Sequence, residues 1–160
     1  YRVDPSGRVD KVIGEDQVPD PNGLCFSPDF KRLYVASTGA GPGDTGPGGK
    51  GDVHVFDIDG SKASNGRQFA DFMVDGVKCG PDGLRCDVNG NLWASSNAGR
   101  AVGYSGVTVW SPEGKLLGRI RLPEVCGNIS FGGPKRNRLF MAASQSLYAV
   151  YVGTQGAGVA

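Results

Sequence analysis

The chain repeats one short pattern of strands, and this repetition limits its fold more than any other feature. The sequence PNGL at residues 21–24 returns as PDGL at residues 81–84. Each copy precedes a second run of apolar and β-branched residues, at 33–37 and at 92–96. Apolar residues in both copies alternate or form short runs, which is typical of β-strands and not of amphipathic helices. A looser third copy begins at 126–131.

Further strands complete each of the three units. A third strand is predicted in every unit, at 53–58, 107–110 and 147–152. A fourth is predicted in two of them, at 69–73 and 116–122. Four antiparallel strands that return at a fixed period are typical of a propeller blade. We therefore expect an all-β propeller in which this chain supplies about three four-stranded antiparallel blades.

The turns between the predicted strands have suitable residues. Asn89-Gly90 separates the first two strands of its unit, and Asp59-Gly60 and 112–114 separate third strands from fourth strands. Such pairs are favoured where a hairpin needs a positive φ. The glycine-rich segment 39–51 is interpreted as a long loop rather than a phosphate-binding loop, because Gly51 follows Lys50 where Ser or Thr is required.

The blade pattern divides the chain into four parts. Residues 1–18 read as the end of a preceding blade, 19–78 and 79–123 as whole blades, and 124–160 as most of a final blade. A propeller closes into a ring, and an incomplete ring would expose unpaired strand edges and apolar faces. We therefore expect the remaining half of the propeller to come from upstream polypeptide or from a second chain.

Charge and hydropathy exclude two classes of partner. The net charge is +1 and basic residues form no cluster, which argues against nucleic-acid binding. No apolar run approaches the ~20 residues that span a membrane. We expect a soluble protein, and a cytoplasmic and a periplasmic location both fit the sequence.

The four cysteines form no CxxC pair, which argues against a zinc knuckle. We expect buried free thiols at Cys25, Cys79, Cys86 and Cys126. A bridge between Cys79 and Cys86 remains the alternative, since sequence alone does not set the geometry that a disulfide needs.

The two copies of the repeat differ at one chemically important position. Asn22 stands in the first copy where Asp82 stands in the second. An amide oxygen and a carboxylate that a repeat architecture brings together can hold a hard cation. The alternative is turn chemistry, because Asn-Gly and Asp-Gly also occur in tight turns with positive φ.

Three motifs in order resemble a known family. They are NGL at 22–24 followed by SPD and LYV, then PDGL at 81–84 followed by GNLW, and finally FGG at 131–133 followed by Leu139-Phe140. Together they resemble the SMP-30/gluconolactonase/luciferin-regenerating-enzyme family over nearly the whole chain. The resemblance implies a six-bladed propeller with one divalent metal ion in its central channel. It also implies hydrolysis of sugar lactones such as gluconolactone.

The resemblance assigns roles to two residues and leaves other roles open. Asn22 and Asp82 match the family's metal-binding Asn and Asp, whereas the family's metal-binding Glu has no counterpart, since Glu15 lies in a loop before the first motif. The chain therefore resembles the C-terminal half of a gluconolactonase-like enzyme. Substrate-binding residues are expected mostly upstream. Asn128 is a further candidate, with a capping or turn amide as its alternative role.

The expected reaction is hydrolysis of a sugar lactone to the aldonic acid. A divalent metal can polarise the lactone carbonyl and lower the pKa of bound water toward ~7. Asp82 is expected to bind the metal and is also a candidate general base, and these two roles compete. Oxygen ligands suit Ca²⁺, Mg²⁺, Mn²⁺ or Fe²⁺, and Zn²⁺ is also tolerated.

Two other functions remain open from the sequence. One is a non-catalytic propeller that serves as a scaffold or ligand-binding module, since propellers host many functions. The other is a hydrolase of non-sugar lactones or esters on the same scaffold.

Overall fold

The fold is built from strands, turns and loops, as the sequence predicted. The structure is a computed structural model that describes residues 1–38, 50–99 and 101–158. The prediction of an all-β protein is confirmed. The loop predicted at 39–51 lies almost entirely outside the described residues. Within the described parts of the chain, no helix is long and apolar enough to cross a membrane.

The chain begins with a small hairpin. Strands β1 (Arg2–Val3) and β2 (Val9–Asp10) pair antiparallel. Asp4 closes the turn between them, because its Oδ1 accepts hydrogen bonds from the backbone N–H groups of Ser6 at 2.9 Å and Arg8 at 3.0 Å. The hairpin lies within residues 1–18, the segment that the sequence analysis assigns to the end of a preceding blade.

The first complete sheet has four antiparallel strands in chain order. They are β3 (Pro21–Phe26), β4 (Arg32–Ser37), β5 (Asp52–Asp59) and β6 (Lys62–Ala70). The predicted bounds of the fourth strand, 69–73, were wrong. Most of β6 is exposed at the outer edge of the sheet, so its sequence has no apolar periodicity to mark it.

A two-stranded hairpin links this sheet to the next. It consists of β7 (Met73–Val74) and β8 (Val77–Lys78). Its turn residues Asp75 and Gly76 both have positive φ, 51° and 77°. An Asp-Gly pair favours such a two-residue turn.

The second sheet also has four antiparallel strands, and the third has three in the described residues. The second contains β9 (Gly80–Cys86), β10 (Leu92–Asn97), β11 (Gly106–Trp110) and β12 (Leu116–Arg121). The third contains β13 (Cys126–Gly132), β14 (Arg138–Ala143) and β15 (Leu147–Tyr151). Positive φ values of 57° at Gly60, 80° at Gly90 and 82° at Gly114 confirm the predicted turns.

The core lies between the sheets, as expected for packed blades. One cluster joins the first and second sheets, and the rings of Phe72 and Trp110 meet there with centroids 4.7 Å apart. Another joins the second and third sheets, where Trp93 packs edge-on against Phe131 at 5.3 Å. Such aromatic pairs stabilise a core beyond the area that they bury.

The first strands of the three sheets, β3, β9 and β13, lie side by side, and glycine permits their close approach. A Cβ atom on Gly23 would overlap the carbonyl oxygen of Asp82, and one on Gly83 would lie 2.8 Å from Cα of Asn128. Neither glycine has a positive φ, and both lie inside strands. The alternative that the two motifs form tight turns is therefore wrong, and backbone packing explains the glycines.

We predict that Gly23→Ala destabilises the protein, because the added methyl group meets backbone atoms of Asp82 and Gly83 that cannot move aside singly. The expected loss is about 1–3 kcal/mol in the free energy of unfolding, measured by urea denaturation. Gly127→Ala is the matched control, since its Cβ atom would lie 3.9 Å from its nearest neighbours. Equal stability of the two variants would contradict this account of the strand contact.

Candidate metal centre

The first strands of the three sheets, β3, β9 and β13, are called the inner strands below. The register of pairing shifts at the same level in each of them. These irregularities fall between Pro21 and Leu24 in β3, between Pro81 and Leu84 in β9, and between Cys126 and Asn128 in β13. A bulge leaves residues out of the ladder and changes the direction of a side chain. The three bulges lie on neighbouring strands, and they contain Asn22, Asp82 and Gly127.

The carboxylate of Asp82 has no partner among the residues that the structure describes. It forms no hydrogen bond or ion pair with any residue in the described ranges, although it is half-buried. Burial raises the pKa of this carboxyl above its usual value. A Cβ atom on Gly127 would lie 3.9 Å from its Oδ2, so the carboxylate reaches toward a position of β13 that has no side chain. A half-buried carboxylate with free space beside it fits a cation.

Neighbouring residues hold the backbone around Asp82. The buried Gly83 N–H donates to Oγ of Ser95 at 2.8 Å, and Oγ1 of Thr38 donates to the Pro81 carbonyl at 2.9 Å. Ser95 is fully buried in β10. Because the bulge removes the Gly83 N–H from the strand ladder, the hydroxyl group of Ser95 replaces the missing acceptor.

Sequence reasoning missed Ser95, although a signal was present. The equivalent residues in the other two sheets are Ala36 and Ala142, which have no hydroxyl group. At this position of the repeat, only the unit that carries the Asp82 carboxylate has a serine.

Asn22 occupies the same position in β3 that Asp82 occupies in β9. Its side chain is exposed and makes no hydrogen bond with the residues that the structure describes. Gly23, the next residue, lies against the carbonyl oxygen of Asp82. The structure therefore brings the two candidate ligands onto adjacent strands at one level.

Asn128 lies one position further along its strand. Ile129 pairs with Met141 as Leu24 pairs with Val35, so Gly127 is the equivalent of Asn22. Oδ1 of Asn128 accepts a hydrogen bond from the Ile129 N–H at 2.8 Å. This is the backbone-capping role that was the alternative for Asn128, and its side chain is otherwise exposed.

The described residues supply only part of a coordination sphere. Among them, no group of three or more His, Cys, Asp or Glu side chains is placed to hold a metal ion. Asn22 and Asp82 provide amide and carboxylate oxygens, whereas Ca²⁺ takes about six to eight oxygen ligands. The chemistry of these two residues fits a hard cation, but additional ligands are needed.

Comparison with known proteins identifies the family. Residues 1–145 match the family model described as the SMP-30/Gluconolactonase/LRE-like region. The chain belongs to this family, which confirms the resemblance found in its motifs.

Named relatives share sequence and fold with the chain. It is 29% identical to a gluconolactonase of Zymomonas mobilis, over 98% of this chain and 41% of that protein. Among solved structures, XC5397 from Xanthomonas campestris, described as a gluconolactonase, matches with a TM-score of 0.71 and 30% identity over 94% of this chain and 43% of that chain. A calcium-binding regucalcin from Agrobacterium tumefaciens matches in fold, with a TM-score of 0.69 and 22% identity, over 95% of this chain and 51% of that chain. The chain thus spans about half the length of these relatives or less.

We predict that Asp82→Asn raises the melting temperature near pH 7 in the presence of EDTA. The folded-state pKa of Asp82 is raised, so its favourable contribution is complete below the unfolded-state pKa and is lost as pH rises through the folded-state pKa. Neutral asparagine removes the cost of burying the charge. Thermal melts from about pH 3 to pH 8 should show the gain over wild type growing with pH.

Asp29→Asn is the control of opposite sign. Hydrogen bonds from Ser27, at 2.6 Å, and from the Lys31 N–H lower the pKa of Asp29. Its contribution is present above the unfolded-state pKa and lost as pH falls, so this variant should melt at a lower temperature near pH 7. A decrease in melting temperature for both variants would contradict the account of Asp82.

We predict that Ser95→Ala leaves the buried Gly83 N–H without an acceptor. An unsatisfied buried donor costs about 1–3 kcal/mol, so this amide should exchange its hydrogen at least ~5-fold faster. Hydrogen–deuterium exchange measured at Gly83 tests this, with Ser130→Ala on the exposed face of β13 as the control. Unchanged protection at Gly83 would show that Ser95 does not support the bulge.

Proposed function

We propose that this chain carries part of the active centre of a divalent-metal-dependent lactonase that hydrolyses a sugar lactone to its aldonic acid. The observation that supports this most is the half-buried carboxylate of Asp82, which has no hydrogen-bond or ion-pair partner among the described residues and lies on a strand beside Asn22. The names of the gluconolactonase relatives support the substrate class.

Asn22 and Asp82 are the residues that would hold the cation. When bound, a divalent ion supplies polarisation of the ester carbonyl. Oxygen ligands suit Ca²⁺, Mg²⁺, Mn²⁺ or Fe²⁺, and Zn²⁺ also accepts a carboxylate. The calcium-binding description of a structural neighbour supports a divalent ion of this kind.

Asp82 also has the chemistry of a general base. Hydrolysis needs water to add to the lactone carbonyl carbon, and a carboxylate within hydrogen-bond reach can accept its proton. The ring ester bond then breaks, which releases a hydroxyl group and a carboxylic acid. Burial raises the pKa of Asp82 and strengthens it as a base, whereas an adjacent cation has the opposite effect.

The exposed apolar faces support a larger assembly. Tyr1 is 84% and Val3 65% exposed at one end of the row of sheets, and Leu147 is 72% and Tyr151 71% exposed at the other. We propose that further blades, from upstream polypeptide or a second chain, cover these faces and supply the remaining ligands and most substrate contacts. In this proposal 1–18 end a preceding blade, 19–78 and 79–123 form whole blades, and 124–160 form most of a final blade.

We predict that the protein, purified from the organism that naturally produces it, hydrolyses δ-gluconolactone and needs a metal ion to do so. Acid release is followed in a pH-stat. EDTA should reduce the rate to that of buffer, and a divalent cation should restore it. Asp82→Asn and Asn22→Ala should lower the rate by about 100-fold or more, since even partners outside the ligand shell cost about 10–100-fold.

Asp29→Asn is the control variant and should keep the wild-type rate. Because Asp82→Asn is expected to melt at a higher temperature, its loss of activity would not come from unfolding. Rates equal to buffer with every cation would favour the scaffold or ligand-binding alternative. Hydrolysis of paraoxon-like esters without hydrolysis of aldonolactones would favour the non-sugar hydrolase.

A further inference from the structure

Two thiol groups meet further along the strands that carry the candidate metal ligands. Cys25 of β3 and Cys86 of β9 have their Sγ atoms 3.7 Å apart, although 61 positions separate them in the chain. Both are free thiols, and they belong to different sheets. The pair therefore bridges the first and second four-stranded sheets.

The other two cysteines have different neighbours. Sγ of Cys79 contacts the Val77 carbonyl, and Sγ of Cys126 contacts the Asn128 carbonyl. The thiol partner of Cys86 is thus Cys25, and not Cys79 as the sequence alternative had it. Cys79 and Cys126 are buried free thiols, and they serve as internal references for the pair of Cys25 and Cys86.

A small molecule can reach the pair. Cys25 is only half-buried, and both thiols line an open cavity of about 490 Å³. Leu24, Arg85 and Phe131 also line it. The cavity is bounded by the three inner strands, so an oxidant that enters it reaches the contact between the sheets.

We propose that Cys25 and Cys86 form a redox modification site, in which a peroxide converts the two thiols into a disulfide between the two sheets. One sulfur attacks a peroxide oxygen and the O–O bond breaks, which yields a sulfenic acid and releases the first water. The second sulfur then attacks the sulfenic sulfur, the S–O bond breaks, and the second water leaves. The two thiols together lose two electrons and two protons, and the peroxide is reduced.

The required movement is small. A disulfide has an S–S distance of ~2.05 Å, so the sulfurs must approach each other by roughly 1.7 Å. Rotation about the Cα–Cβ bonds moves sulfur atoms by this order of distance. The backbones of β3 and β9 are already in contact at Gly23 and Asp82, so the strands need not move together.

The pKa of Cys25 sets how fast the pair reacts with an oxidant. The hydrogen bond with Cys86 and burial raise the pKa of Cys25 well above its ordinary value, against a smaller opposing effect of Arg85. The Cys25 thiol is therefore protonated near neutral pH, and because the thiolate is the nucleophile, its attack on peroxide is slow there and becomes faster as pH rises. This site does not depend on the proposed lactonase activity.

The experiment treats the full protein with hydrogen peroxide and digests it without reduction. Mass spectrometry should find peptides joined through Cys25 and Cys86, two hydrogen masses lighter than their sum, while Cys79 and Cys126 still react with iodoacetamide after unfolding. The melting temperature of the oxidised protein should rise by roughly 5–10 °C, because a crosslink across a long loop restricts the unfolded chain. Dithiothreitol should reverse both changes.

Cys25→Ser is the test variant, because its side chain is half-buried and the substitution preserves size. It should form no crosslink and show no rise in melting temperature after peroxide. A Cys79→Ser variant is the matched control: it should still form the Cys25–Cys86 crosslink, and peroxide should raise its melting temperature by as much as in wild type. The proposal is overturned if the two cysteines remain unlinked after peroxide, if Cys25 proceeds to sulfinic or sulfonic acid instead, or if the crosslinked protein melts no higher.

Discussion

The close approach of the inner strands is the contact on which the rest of the structure depends. It exists because Gly23 has no side chain to separate β3 from the carbonyl oxygen of Asp82, and Gly83 has none to separate β9 from Asn128. At this level each strand leaves its ladder through a bulge. The contact therefore fixes the level at which the side chains of Asn22 and Asp82 leave their strands.

Asp82 within β9 and Asp87 directly after it are carboxylates in very different surroundings. Asp87 is 1% exposed, yet it accepts hydrogen bonds from the Asn89 and Asn91 backbone amides and from Nε1 of Trp93. Those donors replace water and make its burial tolerable. Asp82 lacks comparable donors among the described residues, so its burial opposes folding unless a cation binds. Stability is commonly reduced in this way at functional sites.

Local patterns made much of the fold predictable, and long-range contacts account for most of what was missed. Inner strands and glycine turns could be predicted because buried strand positions need apolar residues and positive φ favours glycine, and both preferences are visible in the sequence. The outer strand β6 has no buried face to reveal it, whereas the hairpin at Asp75-Gly76 had a turn signal that was overlooked. The family motifs indicated Asn22 and Asp82. The contact of Cys25 with Cys86 could not be predicted, since it depends on how two sheets pack.

The stacked bulges also bear on how such a centre diversifies. The same kind of bulge recurs on three strands. Its side chain is an amide at residue 22, a carboxylate at residue 82 and a hydrogen atom at residue 127. The number and charge of donors can therefore change by single codon replacements while the surrounding sheets keep their form. In the proposed cation site, such replacements would change the preferred ion while the fold is kept.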